Sequence, residues 1–112
     1  MTDKKYRGIY SYFYTGDSHA FYVKVGFSKD IHRRLKQHKS SNPLIEVGPT
    51  IKTQLGFTDE SLMHKIFKEL YEQVAPEHYK LTVNQRINFE DNFNSLPDIF
   101  KKRRKKIMNP LR

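Results

Sequence analysis

From Gly8 to Tyr14 the chain reads Gly-Ile-Tyr-Ser-Tyr-Phe-Tyr, an aromatic and β-branched run that predicts a strand. Thr15-Gly16-Asp17-Ser18 is turn chemistry, and Phe21-Tyr22-Val23-Lys24-Val25-Gly26 predicts a second strand pairing with the first. The pattern then changes period. Ile31 and Leu35 stand four apart in a segment rich in Arg and Lys, which predicts an amphipathic helix capped by Ser28 or Asp30 and stopped before Pro43. Leu44, Val47, Ile51 and Leu55, interrupted by Gly48-Pro49, predict one or two short strands, the later one completing the sheet. Thr58 is the expected cap of the main core helix. Its Leu62, Met63, Ile66, Phe67, Leu70, Tyr71 and Val74 recur at helical spacing up to Ala75-Pro76. Thr82-Val83-Asn84-Gln85 fits a capping box, opening a third helix whose Ile87, Phe89, Phe93 and Leu96 face inward. These elements predict an α/β (α+β) domain, a three-stranded antiparallel sheet flanked by about three helices.

At 112 residues the chain holds one small domain, expected over residues 1–100. Hydrophobic residues at 37% and charged ones at 29% fit a folded chain rather than a disordered one. With no cysteine there is neither a disulfide scaffold nor a thiolate metal site or nucleophile. No apolar run reaches the length of a membrane span, and Met1–Tyr6 leads into no signal-peptide core, so the expected setting is a reducing cell interior.

Charge changes the picture more. Lys and Arg number 21 against 12 Asp and Glu, a net +9 that predicts an anionic partner, nucleic acid first. Lys101, Lys102, Arg103, Arg104, Lys105 and Lys106 are consecutive, and without them the balance falls to +3. Such a block predicts a solvated C-terminal tail over residues 101–112, or a fraying helix end. If all six met phosphates, affinity would fall roughly 10³-fold between about 50 and 200 mM salt. They support affinity without reading sequence.

Three features follow in order: Gly8-Ile9-Tyr10 on the first strand, Lys24-Val25-Gly26 closing the second, and Arg34 on the following helix. Gly26, Ser28, Asp30, Ile31, Arg34 and Leu35 match a segment Gly-x-Ser/Thr-x-Asp-hydrophobic-x-x-Arg-Leu, with His38 four residues further on. Glu60-Ser61-Leu62-Met63-His64 matches Glu-x-x-hydrophobic-His, and Pro76-Glu77-His78-Tyr79 is a degraded Gly-Glu-Trp-Phe segment. This series, over residues 8–81, resembles the GIY-YIG endonuclease superfamily, in particular its compact phage and viral branch. The resemblance implies a small α/β nuclease domain that hydrolyses phosphodiester bonds in DNA, or alternatively RNA, using Mg²⁺ or Mn²⁺.

Hydrolysis of a phosphodiester needs an activated water, charge stabilisation on the phosphate and help for the leaving oxygen. On the resemblance, Tyr10 handles the water's proton, Lys24 and Arg34 supply positive charge, His38 meets phosphate or assists proton transfer, and Glu60 holds the metal. Lys36, His64 and the basic run 101–106 are the expected nucleic-acid contacts. Each also has a plain structural reading: Tyr10 as a core aromatic, Lys24 and Arg34 as solvated charges, Glu60 as a helix-dipole acid, His64 as a packed histidine. His19, His32 and His78 take only the plain reading, and Glu77 reads as a loop acid. Lys24 departs from the signature, standing where a second tyrosine is usual. Thirteen residues separate Tyr10 from Lys24, which predicts a bulged hairpin turn. The expected protein is a monomer or weak dimer acting inside the cell, or in the nucleus of a eukaryotic host. Two competitors stay open: a nucleic-acid-binding module on the same fold without catalysis, and a protein that binds an acidic partner.

Overall fold

The computed structural model describes residues 7–53 and 56–108, with side chains except at 56–57 and 103–108. The first hairpin is β1 (Gly8–Thr15) and β2 (Phe21–Ser28), antiparallel without interruption from Gly8↔Ser28 to Thr15↔Phe21. The expected bulge is absent from this ladder. The extra residues instead form a 3-10 turn at Asp17–His19, where Ser18 and His19 take positive φ.

Helix α1 (Ile31–Ser41) begins where Asp30 accepts the Arg33 N–H at 3.2 Å, and Ile31 and Leu35 are its buried residues. Two strands of two residues each, β3 (Glu46–Val47) and β4 (Ile51–Lys52), pair with the outer edge of β1. Leu55 lies outside the described residues. Helix α2 (Gly56–Leu70) starts two residues before Thr58, so Thr58 is not its cap.

The expected end of α2 is wrong in an instructive way. The helix closes with the Tyr71 N–H on the Phe67 carbonyl at 2.8 Å, and the chain turns into β5 (Glu72–Ala75) and β6 (His78–Leu81). Leu70 and Val74 are exposed, as is Ile87, contrary to the inward face expected of it, while Tyr71 is buried. Pro76-Glu77 is therefore a hairpin corner rather than a helix stop. Proline at the first central position and φ 68° at the second follow the type II pattern. Helix α3 (Val83–Asn94) has the predicted box: Thr82 Oγ1 accepts from Gln85 N at 3.1 Å, and Gln85 Oε1 from Thr82 N at 2.9 Å. Ser95 separates it from α4 (Leu96–Met108), which continues through the basic run as helix.

The sheet is thus not three-stranded. Its order is β3-β1-β2-β6-β5, with β4 also on β1, and four α-helices flank it among the described residues. The additional strands come from two short edge pairings and from the hairpin that the helical spacing conceals. Ile9, Phe13, Val23, Val25, Tyr79 and Leu81 form one apolar face, packed by Met63, Phe67, Phe89, Phe93, Leu96 and Phe100 from α2, α3 and α4. The opposite face carries a smaller cluster of Tyr10, Ile31 and Leu35 beneath α1. No helix among the described residues is long and apolar enough to cross a membrane.

Candidate active site

Strand alternation places Tyr10, Tyr12 and Tyr14 on the α1 face of β1. Tyr10 lies directly opposite Gly26, and Lys24 is two residues before that glycine on the same face. A Cβ at Gly26 would stand 2.9 Å from the Tyr10 hydroxyl and 3.2 Å from Lys24 Nζ. The missing side chain opens the space in which these groups meet. Lys24 Nζ donates to the Tyr10 hydroxyl at 2.5 Å, with Lys24 only 8% exposed and Tyr10 1%. Positive charge thus stands where the departure of a phenol proton leaves negative charge.

His38, one turn past Arg34 on α1, brings Nε2 to 3.2 Å from the same hydroxyl. Burial, then Lys24 and Arg34, lower its pKa below the usual 6.5. Neutral at pH 7 and with its proton on Nδ1, the imidazole accepts through Nε2, and hydrogen bonds then run from the Lys24 ammonium to the phenol oxygen and from the phenol to His38. Arg34 is exposed, touches Gln37 Oε1 at 3.4 Å, and exerts its charge on Tyr12 and His38.

A second group forms at the same end of β2, where Val25 and Phe27 flank Gly26. Glu60 and His64, four apart on α2, bring Oε2 and Nε2 to 3.8 Å. The start of α2 is fixed below them by buried Asp59, which accepts from the Thr53 hydroxyl. Glu77 joins from the β5–β6 corner, whose carbonyl takes the Val25 N–H at 3.0 Å. One ligand atom from each of Glu60, His64 and Glu77 lies within 4.8 Å of the others.

The electrostatics of this group are unrelieved. Burial and the Glu77 charge raise the Glu60 pKa above 4.5, against a backbone N–H of Phe27 and the Lys24 charge. Burial lowers His64, keeping it neutral. Its Nδ1 is 2.7 Å from the Tyr79 hydroxyl, while Nε2 is buried with no hydrogen-bond partner. Burial and Glu77 push Tyr79 up to about 12, so that hydroxyl stays protonated.

The two groups are electrostatically one. The Lys24 charge reaches His38 and His78 on the sheet face, and Glu60 and His64 on α2. The Glu77 charge reaches the same four residues and Tyr12. The fold therefore joins Tyr10, Lys24 and His38 by contact, sets Arg34 beside them, and gathers Glu60 with His64.

Other expected residues stand apart. Lys36 is exposed on α1 and has no part in the Tyr10 hydrogen bonds. Lys101 and Lys102 are exposed on α4, in the helical layer across the sheet from Tyr10. The side chains of Arg103, Arg104, Lys105 and Lys106, and residues 109–112, lie outside the described residues. Glu77, read in the sequence as a loop acid, is the residue that reasoning passed over. Its signal is its place within the degraded Gly-Glu-Trp-Phe segment. His64 belongs with the carboxylates, and His78 sets Nδ1 2.7 Å from the Tyr14 hydroxyl.

No curated protein and no solved structure matches the chain. A family model, the T5orf172 domain, matches residues 8–102. Because that match spans both hairpins, α1 to α3 and the first half of α4, the chain belongs to the T5orf172 domain family, a nuclease-associated family.

Proposed function

We propose that the protein is a divalent-metal-dependent endonuclease of the GIY-YIG type, hydrolysing phosphodiester bonds in DNA. The observation that carries this reading is the hydrogen-bonded Lys24–Tyr10–His38 set, electrostatically coupled to a carboxylate–imidazole–carboxylate cluster.

The cluster fits a divalent cation. Glu60 and Glu77 repel each other, and a cation between them removes that cost. His64 Nε2 is buried without a partner. When His64 Nδ1–H is donated to the Tyr79 oxygen, Nε2 presents its lone pair, the arrangement common for metal-bound histidine. Bonds of about 2.1 Å set donors about 3–4 Å apart around one ion, so groups within 4.8 Å need only small side-chain turns. Carboxylates suit Mg²⁺ and Mn²⁺ alike, whereas the imidazole favours Mn²⁺. The bound ion supplies positive charge to the scissile phosphate.

The chain's own residues divide the remaining work. Neutral His38 takes the Tyr10 proton through Nε2, and Lys24 stabilises the phenolate. The phenolate accepts a proton from water as that water's oxygen attacks phosphorus. Arg34 binds the phosphate oxygens as the opposite P–O bond breaks, and the leaving oxygen takes a proton from solvent. Burial of Tyr10 keeps bulk water from competing for its hydroxyl.

The experiment is nicking of plasmid DNA in Mg²⁺ and in Mn²⁺ by wild type, Tyr10→Phe and Glu60→Ala. Cleavage by wild type that falls by about 10²-fold or more in either variant supports the reading. Cleavage unchanged by Glu60→Ala removes it. A second reading rests on Lys24, which replaces the usual second tyrosine and ties up the Tyr10 oxygen. It is a binding module, and salt-sensitive DNA binding without cleavage in either ion favours it.

A further inference from the structure

Tyr10 is one end of a longer aromatic path. The rings run from Tyr10 to His38 at 5.6 Å, His38 to Tyr12 at 4.9 Å, and Tyr12 to Tyr14 at 6.1 Å. Tyr14 then meets Tyr22, its direct cross-strand partner, at 5.3 Å with the rings within 13° of parallel. Helix α1 covers only the first part of this face. Tyr10 is buried, whereas Tyr12, Tyr14 and Tyr22 are half-buried. One exposed cation stands in register beside them, Lys80 opposite Tyr22 on β6, while Lys24 opposite Tyr12 is buried on the Tyr10 hydroxyl.

The path ends in a cavity of about 150 Å³ lined by Tyr14, Phe21, Tyr22, Leu44, Glu46 and Arg86. The Arg86 guanidinium is held 3.5 Å above the Phe13 ring centre and 3.2 Å from Glu46 Oε2. The Arg86 and Glu46 side chains are bonded to each other, and the Phe13↔Glu46 register sets them on the helix-packed face of the sheet, so the cavity lies at the sheet edge beyond the tyrosine row.

A row of rings flanked by an exposed lysine suits the bases and phosphates of a single strand. Duplex DNA hides its base faces in the stack and offers phosphates and groove edges, so it has no use for this row. We infer that the substrate carries an unpaired strand next to the scissile phosphate, its bases stacking along Tyr12, Tyr14 and Tyr22. Four residues of strand, about 13 Å, separate Tyr10 from Tyr14. That distance equals roughly four base steps at about 3.4 Å each, and fewer on a stretched strand. The inference rests on the nuclease reading and specifies its substrate class.

The test measures anisotropy of a labelled single strand, its blunt duplex, and that duplex bearing an unpaired flap, all in EDTA at fixed salt. The single strand and the flap are expected to bind about tenfold tighter than the blunt duplex. Tyr22→Ala lowers affinity for the single strand by about five- to a hundredfold and leaves the duplex unchanged, while Tyr22→Trp retains binding. Equal affinity for single strand and duplex, an equal loss on both with Tyr22→Ala, or no DNA binding at all overturns the inference. A separate Mn²⁺ cleavage assay distinguishes the two readings. Tyrosine-dependent strand binding without any cleavage counts against the nuclease and leaves the stacking surface standing. Cleavage of blunt duplex indifferent to Tyr22→Ala counts against the stacking surface alone.

Discussion

The two faces of the sheet use the same strands for opposite ends. On one, Ile9, Phe13, Val23 and Val25 meet the aromatic rings of α2, α3 and α4, and burial is their whole contribution. On the other, Tyr10 and Lys24 are as deeply buried, yet they are held by polar bonds to each other and to His38. Burying an ammonium and a phenol costs free energy that only good partners offset. An apolar replacement would serve stability better, so stability alone does not account for the polar groups on this face. The comparison predicts that substitutions divide between apolar packing and the polar groups gathered at the end of β2. Phe67→Ala should lower unfolding stability by about 3–5 kcal/mol in a denaturant titration, through lost burial and a cavity. Glu60→Ala should leave the denaturation midpoint near wild type and lower metal-dependent cleavage about 10²-fold or more. A Glu60→Ala protein that unfolds early but still cleaves erases the distinction.

The two signature glycines sharpen it. A Cβ at Gly8 would fall 1.9 Å from the Ile51 carbonyl oxygen, a clash with β4 backbone that no side chain can relieve. At Gly26 the nearest atoms are side-chain ends, the Tyr10 hydroxyl at 2.9 Å and Lys24 Nζ at 3.2 Å. Gly8→Ala should therefore give little folded protein. Gly26→Ala should fold but push the ammonium off the phenol, and displacements of about 1 Å at a reacting centre cost about 10²-fold in rate. Melting curves and nicking rates for the pair check this, and loss of folding in Gly26→Ala would place it with the structural glycine.

Acid should find the buried histidines first. Burial lowers His38, His64 and His78 below 6.5 in the folded protein. Between those folded values and about 6.5 the unfolded chain binds more protons, so stability rises with pH across that window. The melting temperature is expected to fall as pH drops below about 6.5 and to level off once all three are charged in both states. Glu60 works in the opposite sense, because its raised pKa makes the folded protein bind more protons above 4.5. Glu60→Gln should then steepen the rise with pH. A melting temperature flat from pH 7 to 5 would show that the histidines are not desolvated.

The sequence makes the local parts of this picture readable and hides the assembled ones. The aromatic and β-branched run from Gly8 and the Thr82–Gln85 box are decided within a few residues, and both elements form where predicted. The second hairpin was illegible because Leu70, Tyr71 and Val74 prolong the helical spacing past the true end of α2. All four residues of β5 are exposed, so no alternation marks them as strand. Thr58 misled for a related reason: an acid-rich helical turn follows it, but α2 already includes it. Of the candidate site, the Tyr10–Lys24 meeting follows from strand register around a glycine. Glu77 reaches Glu60 and His64 only once the β5–β6 corner docks on Val25, a long-range event that no spacing encodes.

Glu77 also gives the smallest and most discriminating prediction. Its φ of 68° lies in the left-handed region, which costs a residue with a side chain roughly 1–2 kcal/mol and glycine almost nothing. Glycine is the ordinary choice at the second position of such a turn, so a glutamate there forgoes stability. Glu77→Gly relieves the backbone and removes the charge that raises Glu60. The unfolded chain gains entropy from the new glycine, which offsets part of the relief. The net expectation is a gain of about 0.5–1 kcal/mol in the absence of metal. Mn²⁺ should reverse the order: at about 100 times its Kd it stabilises wild type by about 2.7 kcal/mol, and the variant by much less. Thermal melts with and without Mn²⁺ read both terms from one pair of proteins. If Mn²⁺ stabilises wild type and Glu77→Gly equally, the corner carboxylate is no ligand, and the strain at residue 77 has no chemical return.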